Sequence, residues 1–213
     1  MEPNEPLLAS AGFIAAVVVT LVDGRNAVSY ASLAAALGLT PSVVIFFGAD
    51  AALVLGAAAV VAALAGPLSR WLARRVSWMA GVDPLVPVVA GTEALFGPRS
   101  IRAATAVLVL PAASWVSFNV PLGSASTISG VLFPAALIGG CAGIRMLTAR
   151  TLADIAVGIA ALGIAAAAAW FLCAGVETLP GAMTAAALAP AAAVLAGWLR
   201  GRHAAAPPEL TAP

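Results

Sequence analysis

Residues 7–47, LLASAGFIAAVVVTLVDGRNAVSYASLAAALGLTPSVVIFF, decide what kind of molecule this is. Two long apolar runs flank a polar knot in which Asp23, Arg25 and Asn26 fall within four positions. The knot reads in two ways. It is a loop at a membrane surface, or it is the break in a helix whose backbone meets a solute. Non-helical backbone at membrane depth survives only where it lines a cavity or is buried in protein.

Composition says why the solvent here is lipid. The chain has 213 residues, of which 62% are hydrophobic and 9% charged, with a mean hydropathy of +1.06. A soluble domain carries about 25% charged residues, so 9% cannot cover a water-facing surface. The net charge of +1 argues against nucleic acid as a partner. Lysine is absent, which excludes Walker-type phosphate loops and Schiff-base chemistry. The one histidine, His203, stands near the end of the sequence and cannot build a triad or a His-rich metal site. Cys141 and Cys173 lie in apolar stretches and read as free thiols. No close pair of intramembrane acids and no serine with an evident base is present, so no catalytic residue, cofactor or metal site is assigned and an enzyme is not expected.

The expected fold is an all-α polytopic integral membrane protein with about five to seven membrane segments, some broken or re-entrant. Residues 1–6 are a tail; with two glutamates and no basic residue they do not read as a signal peptide. Residues 7–199 form one transmembrane domain, and 200–213 a disordered tail. Within the domain, 7–22 and 27–38 form one interrupted unit. A full span covers 42–65, with Thr40-Pro41-Ser42 as its start. Leu68, Trp71, Leu72, Val76 and Met79 recur at helical spacing beside Arg70, Arg74 and Arg75, so 66–79 reads as an amphipathic helix lying in the interface. Residues 80–98 read as a surface or re-entrant segment. Further spans cover 103–120, 130–143, 152–176 and 180–198. Arginines mark the cytoplasmic side: Arg70, Arg74 and Arg75, then Arg145 and Arg150, then Arg200 and Arg202, which place the C-terminus inside. The expected location is therefore the cell membrane.

A second polar break, PLGSASTIS at 121–129, repeats the design of the first. Ser124, Ser126 and Thr127 offer hydroxyl donors, and the following backbone N–H groups offer more, a chemistry suited to an anion. Asp50, alone inside an apolar span, is either a functional acid or a partner for Arg25.

The order of these features resembles one repeat of the PiT family of inorganic phosphate transporters. Gly24 and Asn26 match a Gly-x-Asn-Asp-x-x-Asn motif, Leu39-Thr40-Pro41 and Leu55-Gly56-Ala57 match the stretch that follows, and Pro121 and Gly130 keep the spacing of a Pro-x-Ser-Thr-Thr-His-x-x-x-Gly motif. Ala27 stands where that family has an acid, Tyr30 where it has a second asparagine and Ser126 where it has a histidine. The resemblance implies half of an inverted-repeat transporter, working with a second half-transporter subunit or as a homodimer. The expected substrate- and ion-binding set is Asp23, Arg25, Asn26, Ser29, Asp50, Ser124, Ser126 and Thr127: Arg25 and the hydroxyls of the second break hold a small inorganic anion, and Asp23 or Asp50 binds the coupling Na+ or H+. The alternative is a non-transporting membrane scaffold or degenerate relative.

Overall fold

The computed structural model describes residues 5–24, 26–75, 98–119, 132–149 and 151–174. Among them are six α-helices and no strand: α1 (Glu5–Leu21), α2 (Ala27–Phe47), α3 (Ala49–Arg75), α4 (Pro98–Asn119), α5 (Phe133–Leu147) and α6 (Leu152–Ala174). Three are long and apolar enough to cross a membrane, over Ala27–Phe47, Arg99–Asn119 and Ala153–Cys173. Shorter apolar helices cover Ala9–Leu21, Ala49–Leu64 and Phe133–Leu147. The expected segments 80–97, 121–129 and 180–198 and the tails 1–4 and 200–213 lie outside the described residues.

Two glycines set the chain breaks. Gly24 has φ +105° and Gly48 has φ +81°, a region that an L side chain rarely enters. Gly24 turns the chain between α1 and α2, where its carbonyl accepts from Ala27 N–H at 3.1 Å. Gly48 alone separates α2 from α3, and its N–H donates to Val44 O.

The helix expected to start at Thr40-Pro41-Ser42 does not start there. Pro41 lies inside α2, which runs on to Phe47, and the apolar stretch 42–65 is cut at Gly48. Proline removes one backbone donor, the one that would reach Leu37 O, but leaves the rest of the helix ladder in place. One missing bond is tolerated inside a packed helix, whereas the reversed φ at Gly48 ends it. Nor does a separate helix begin at residue 66. Residues 66–75 are the last turns of α3, which passes through Pro67.

The helices form two antiparallel hairpins side by side. In the first, Gly38 of α2 packs against Ala15 and Ala11 of α1. In the second, Gly158 of α6 packs against Met146 and Ala142 of α5. The hairpins point the same way. Gly12, midway along α1, meets Pro134 at the start of α5, and Val19, near the end of α1, meets Arg145 near the end of α5. The rings of Phe47 and Phe171 meet edge-on at 4.5 Å near the far ends of α2 and α6. The third helix, α3, folds back on α2, where Ser29 Oγ donates to Ala63 O at 2.6 Å. The fourth, α4, runs antiparallel to α5, with Val109 against Gly140.

The core is built from small residues. Ala15, Ala31, Ala35, Ala62, Ala142 and Ala161 are buried with Leu39, Leu137, Ile138 and Ile164. Large apolar side chains point outward instead, among them Ile14, Leu37, Leu53, Leu108, Trp115 and Phe118. In water this arrangement would forfeit most of the hydrophobic gain. In lipid it costs nothing, because an outward leucine is solvated by acyl chains and small inward residues let helix backbones come close.

Candidate functional site

At the end of the bundle where α1 stops and α6 starts, four helix termini converge on a ring of charges. Asp23 follows α1, Arg102 is in the second turn of α4, Arg145 is in the last turn of α5, and Asp154 is in the first turn of α6. Arg102 Nη1 lies 3.1 Å from Asp23 Oδ1 and 3.2 Å from Asp154 Oδ1. Arg145 Nη2 lies 3.2 Å from Asp23 Oδ1 and 3.0 Å from Asp154 Oδ1. Two oxygens and two nitrogens thus alternate around a closed ring. Each charge has opposite neighbours on both sides, the arrangement that best offsets the cost of taking it out of water.

Local structure fixes each member. Thr151 and Asp154 form a reciprocal cap at the start of α6: Asp154 N–H donates to Thr151 Oγ1 at 3.2 Å, and Thr151 N–H and Oγ1 donate to Asp154 Oδ2 at 3.2 and 3.0 Å. One carboxylate oxygen therefore caps the helix and the other enters the ring. Asp154 also faces the positive end of the α6 dipole, and Arg145 faces the negative end of α5. Arg145 donates through Nη1 to Val19 O, tying α5 to the last turn of α1. A fifth charge, Arg99, donates through Nε to Asp23 Oδ2 at 2.6 Å.

Burial grades the set. The side chains of Arg145, Arg102 and Asp154 are 1%, 3% and 6% exposed, Asp23 is 28% and Arg99 is 68%. Asp23 is the ring's edge toward water, and Arg99 lies over it. Three guanidinium groups meet two carboxylates, so the cluster carries one positive charge in excess among the described residues.

Asp23 lies in the turn outside the helices. Burial raises its carboxyl pKa, but hydrogen bonds and charge from Arg99, Arg102 and Arg145 outweigh that and hold it below the ordinary 3.8. A carboxylate whose pKa is lower folded than unfolded adds stability above its unfolded value and loses it as pH falls through the folded one. The thermal midpoint of the detergent-solubilised protein should therefore stay level from about pH 7 to about 5 and fall below about pH 4, less steeply for Asp23→Asn. An equally steep fall in the variant would remove Asp23 from the ring.

Of the residues named from the sequence, Asp23 joins this ring, and Arg25, Ser124, Ser126 and Thr127 lie outside the described residues. Asn26 is the N-cap residue of α2, with its side chain exposed. Ser29 spends its hydroxyl donor on Ala63 O, which makes it a helix-packing contact. Asp50 is exposed in the first turn of α3 rather than in the middle of a span. All 21 residues of α2, about 30 Å at helical rise, separate it from the Asp23 turn. Asp23 and Asp50 therefore do not share one site.

The sequence reading does not single out Arg99, Arg102 or Asp154 as site residues, and it takes Arg145 only as a topology marker. Two signals were present. Arg102 and Arg145 bound the long charge-free stretch 103–144, and Thr151-x-x-Asp154 has the spacing of a helix cap. No protein-family model, curated protein or solved structure matches this chain.

Proposed function

We propose that this chain is a multi-pass protein of the cell membrane and one half of a secondary transporter for inorganic phosphate or another small anion. The observation that supports it most directly is the excess positive charge at the Asp23 turn, where an interrupted α1–α2 segment meets the ends of α4, α5 and α6. Broken helix pairs in transporters present free backbone groups and helix ends to solutes at such places. Arg25 of the same turn supplies a further guanidinium to hold the anion, while Asp23, already paired with Arg99, Arg102 and Arg145, holds those cations in place rather than carrying the coupling Na+ or H+. The second break follows the end of α4 and precedes the start of α5, both at the opposite end of the bundle from Asp23, so the proposed cradle does not include Ser124, Ser126 or Thr127; a second half-subunit or a second copy supplies its other side.

The test is uptake of labelled phosphate by membrane vesicles from cells that make the protein. Uptake under a Na+ or H+ gradient should exceed that of vesicles lacking it. Arg25→Ala should lower the rate at least about tenfold, the loss expected for one charge-assisted contact. Equal uptake with and without the protein would end the transport reading, and full activity of Arg25→Ala would remove it as a ligand.

One observation favours the scaffold alternative. The ring closes on itself, with each inner carboxylate oxygen shared between two arginines. Such a ring fastens four helix ends whether or not a solute passes.

A further inference from the structure

Between α1 and α4 the bundle is open. The two helices are splayed over α5 and leave an apolar groove of about 160 Å³. Val17 and Leu21 form one wall, Val107 and Leu110 the other, and Leu137 and Cys141 of α5 the floor. Thr20 also lines it, but its hydroxyl donor is spent on Ala16 O at 2.7 Å, so almost no polar surface faces the opening. Val17, Leu21 and Val107 are substantially exposed, so the groove opens sideways, on the face that meets lipid.

The groove leads to the charge cluster. Along α4, Arg99, Ala103, Ala106 and Leu110 follow one another at helical spacing, and the last three line the groove. Along α1, Phe13, Val17 and Leu21 do the same, and Asp23 follows two residues later. From Phe13 to Leu21 the slot is about 12 Å long at helical rise. At its mouth stands Arg99, 68% exposed, holding Asp23 Oδ2 through Nε with the rest of its guanidinium at the surface. The Asp23 carboxylate does not repel an incoming anion strongly, because Arg99, Arg102 and Arg145 already surround it.

We infer that the α1–α4 groove is a binding site for one anionic phospholipid, with an acyl chain between the helices and the headgroup phosphate on Arg99. An apolar slot ending at a cationic side chain matches the two halves of such a molecule. The net positive cluster selects an anionic headgroup over a zwitterionic one. Basic pockets between membrane helices bind anionic headgroups in this way. The site does not depend on the transport reading.

The experiment is native mass spectrometry of the purified full chain in nonionic detergent, titrated with phosphatidylglycerol or phosphatidylcholine. The wild type should retain phosphatidylglycerol about tenfold better: both lipids offer a phosphate to Arg99, but the net positive cluster repels the choline's ammonium. Arg99→Ala, at an exposed position that leaves the buried ring in place, should bind both lipids equally. Ala106→Phe, which fills the slot, should lose both. Equal retention of the two lipids by the wild type would overturn the site, as would a preference kept in Arg99→Ala. Displacement of the lipid by millimolar inorganic phosphate would make this a free-ion site and overturn the lipid assignment. Lipid retention is read without any uptake, so its failure and a failure of transport are separate results.

Discussion

Arg145→Ala should destabilise the fold by about 3–5 kcal/mol, the cost of removing one partner from a buried ion pair. Arg145 is the most buried charge in the described structure, with its side chain 1% exposed. It touches Asp23, Asp154 and the Val19 carbonyl, and so holds α5 to α1 and α6 at once. Its loss leaves Arg102 as the one ring arginine between Asp23 and Asp154 and takes a guanidinium partner from Asp154, which is buried beside the apolar core. Arg145→Lys keeps the charge, but one ammonium on a flexible stem cannot reproduce the guanidinium fork that reaches all three partners. It should therefore be intermediate. Arg145→Met with Asp154→Leu removes a paired charge from each side and should recover part of the loss, since replacing a buried pair by apolar groups is often neutral. Thermal denaturation in detergent, followed by size-exclusion chromatography, ranks the variants. A midpoint unchanged in Arg145→Ala would mean that the ring does not hold the helices together.

The second large effect is expected at Gly38→Val. A β-carbon at Gly38 would collide with the Ala15 methyl and come within 3.0 Å of the Ala11 carbonyl oxygen. Neither can move aside, because one is backbone and the other a methyl fixed to it. The α1–α2 hairpin must part along its length, at a cost of about 1–3 kcal/mol for overpacking a tight contact. The opening would also displace the Asp23 turn at the end of α1, so ring and hairpin should weaken together. Gly56→Ala is the control. It is a helical glycine with nothing within 4 Å of an added β-carbon, and the change to the better helix former should be neutral or stabilising by up to about 1 kcal/mol. Equal midpoints for Gly38→Val and Gly56→Ala would contradict the close approach of α1 and α2.

Both predictions rest on features that differ in legibility. The break between α1 and α2 is visible in residues 7–47, because a short polar stretch with a glycine separates two apolar runs, but that the runs fold back on each other as a hairpin is not. The second break is less visible. Pro41 is the more conspicuous residue, yet the chain turns at Gly48, because a missing donor is local while a positive φ reverses the backbone. Asp50 reads as an intramembrane acid only while the span is assumed to run unbroken through Gly48.

The sequence alone determined that the chain is helical and apolar: charge at 9% and long apolar runs are local properties, readable one window at a time. It also pointed to Asp23 as a residue to test. The tertiary structure alone decided what Asp23 faces. Its ring partners Arg102, Arg145 and Asp154 are 79, 122 and 131 residues away, on three other helices. Pattern within one helix carries no information about which distant helix end lies beside it. That depends on how the hairpins dock, and the docking is set by small residues such as Gly12, Gly38 and Gly140, whose importance shows only when the opposing helix is in place.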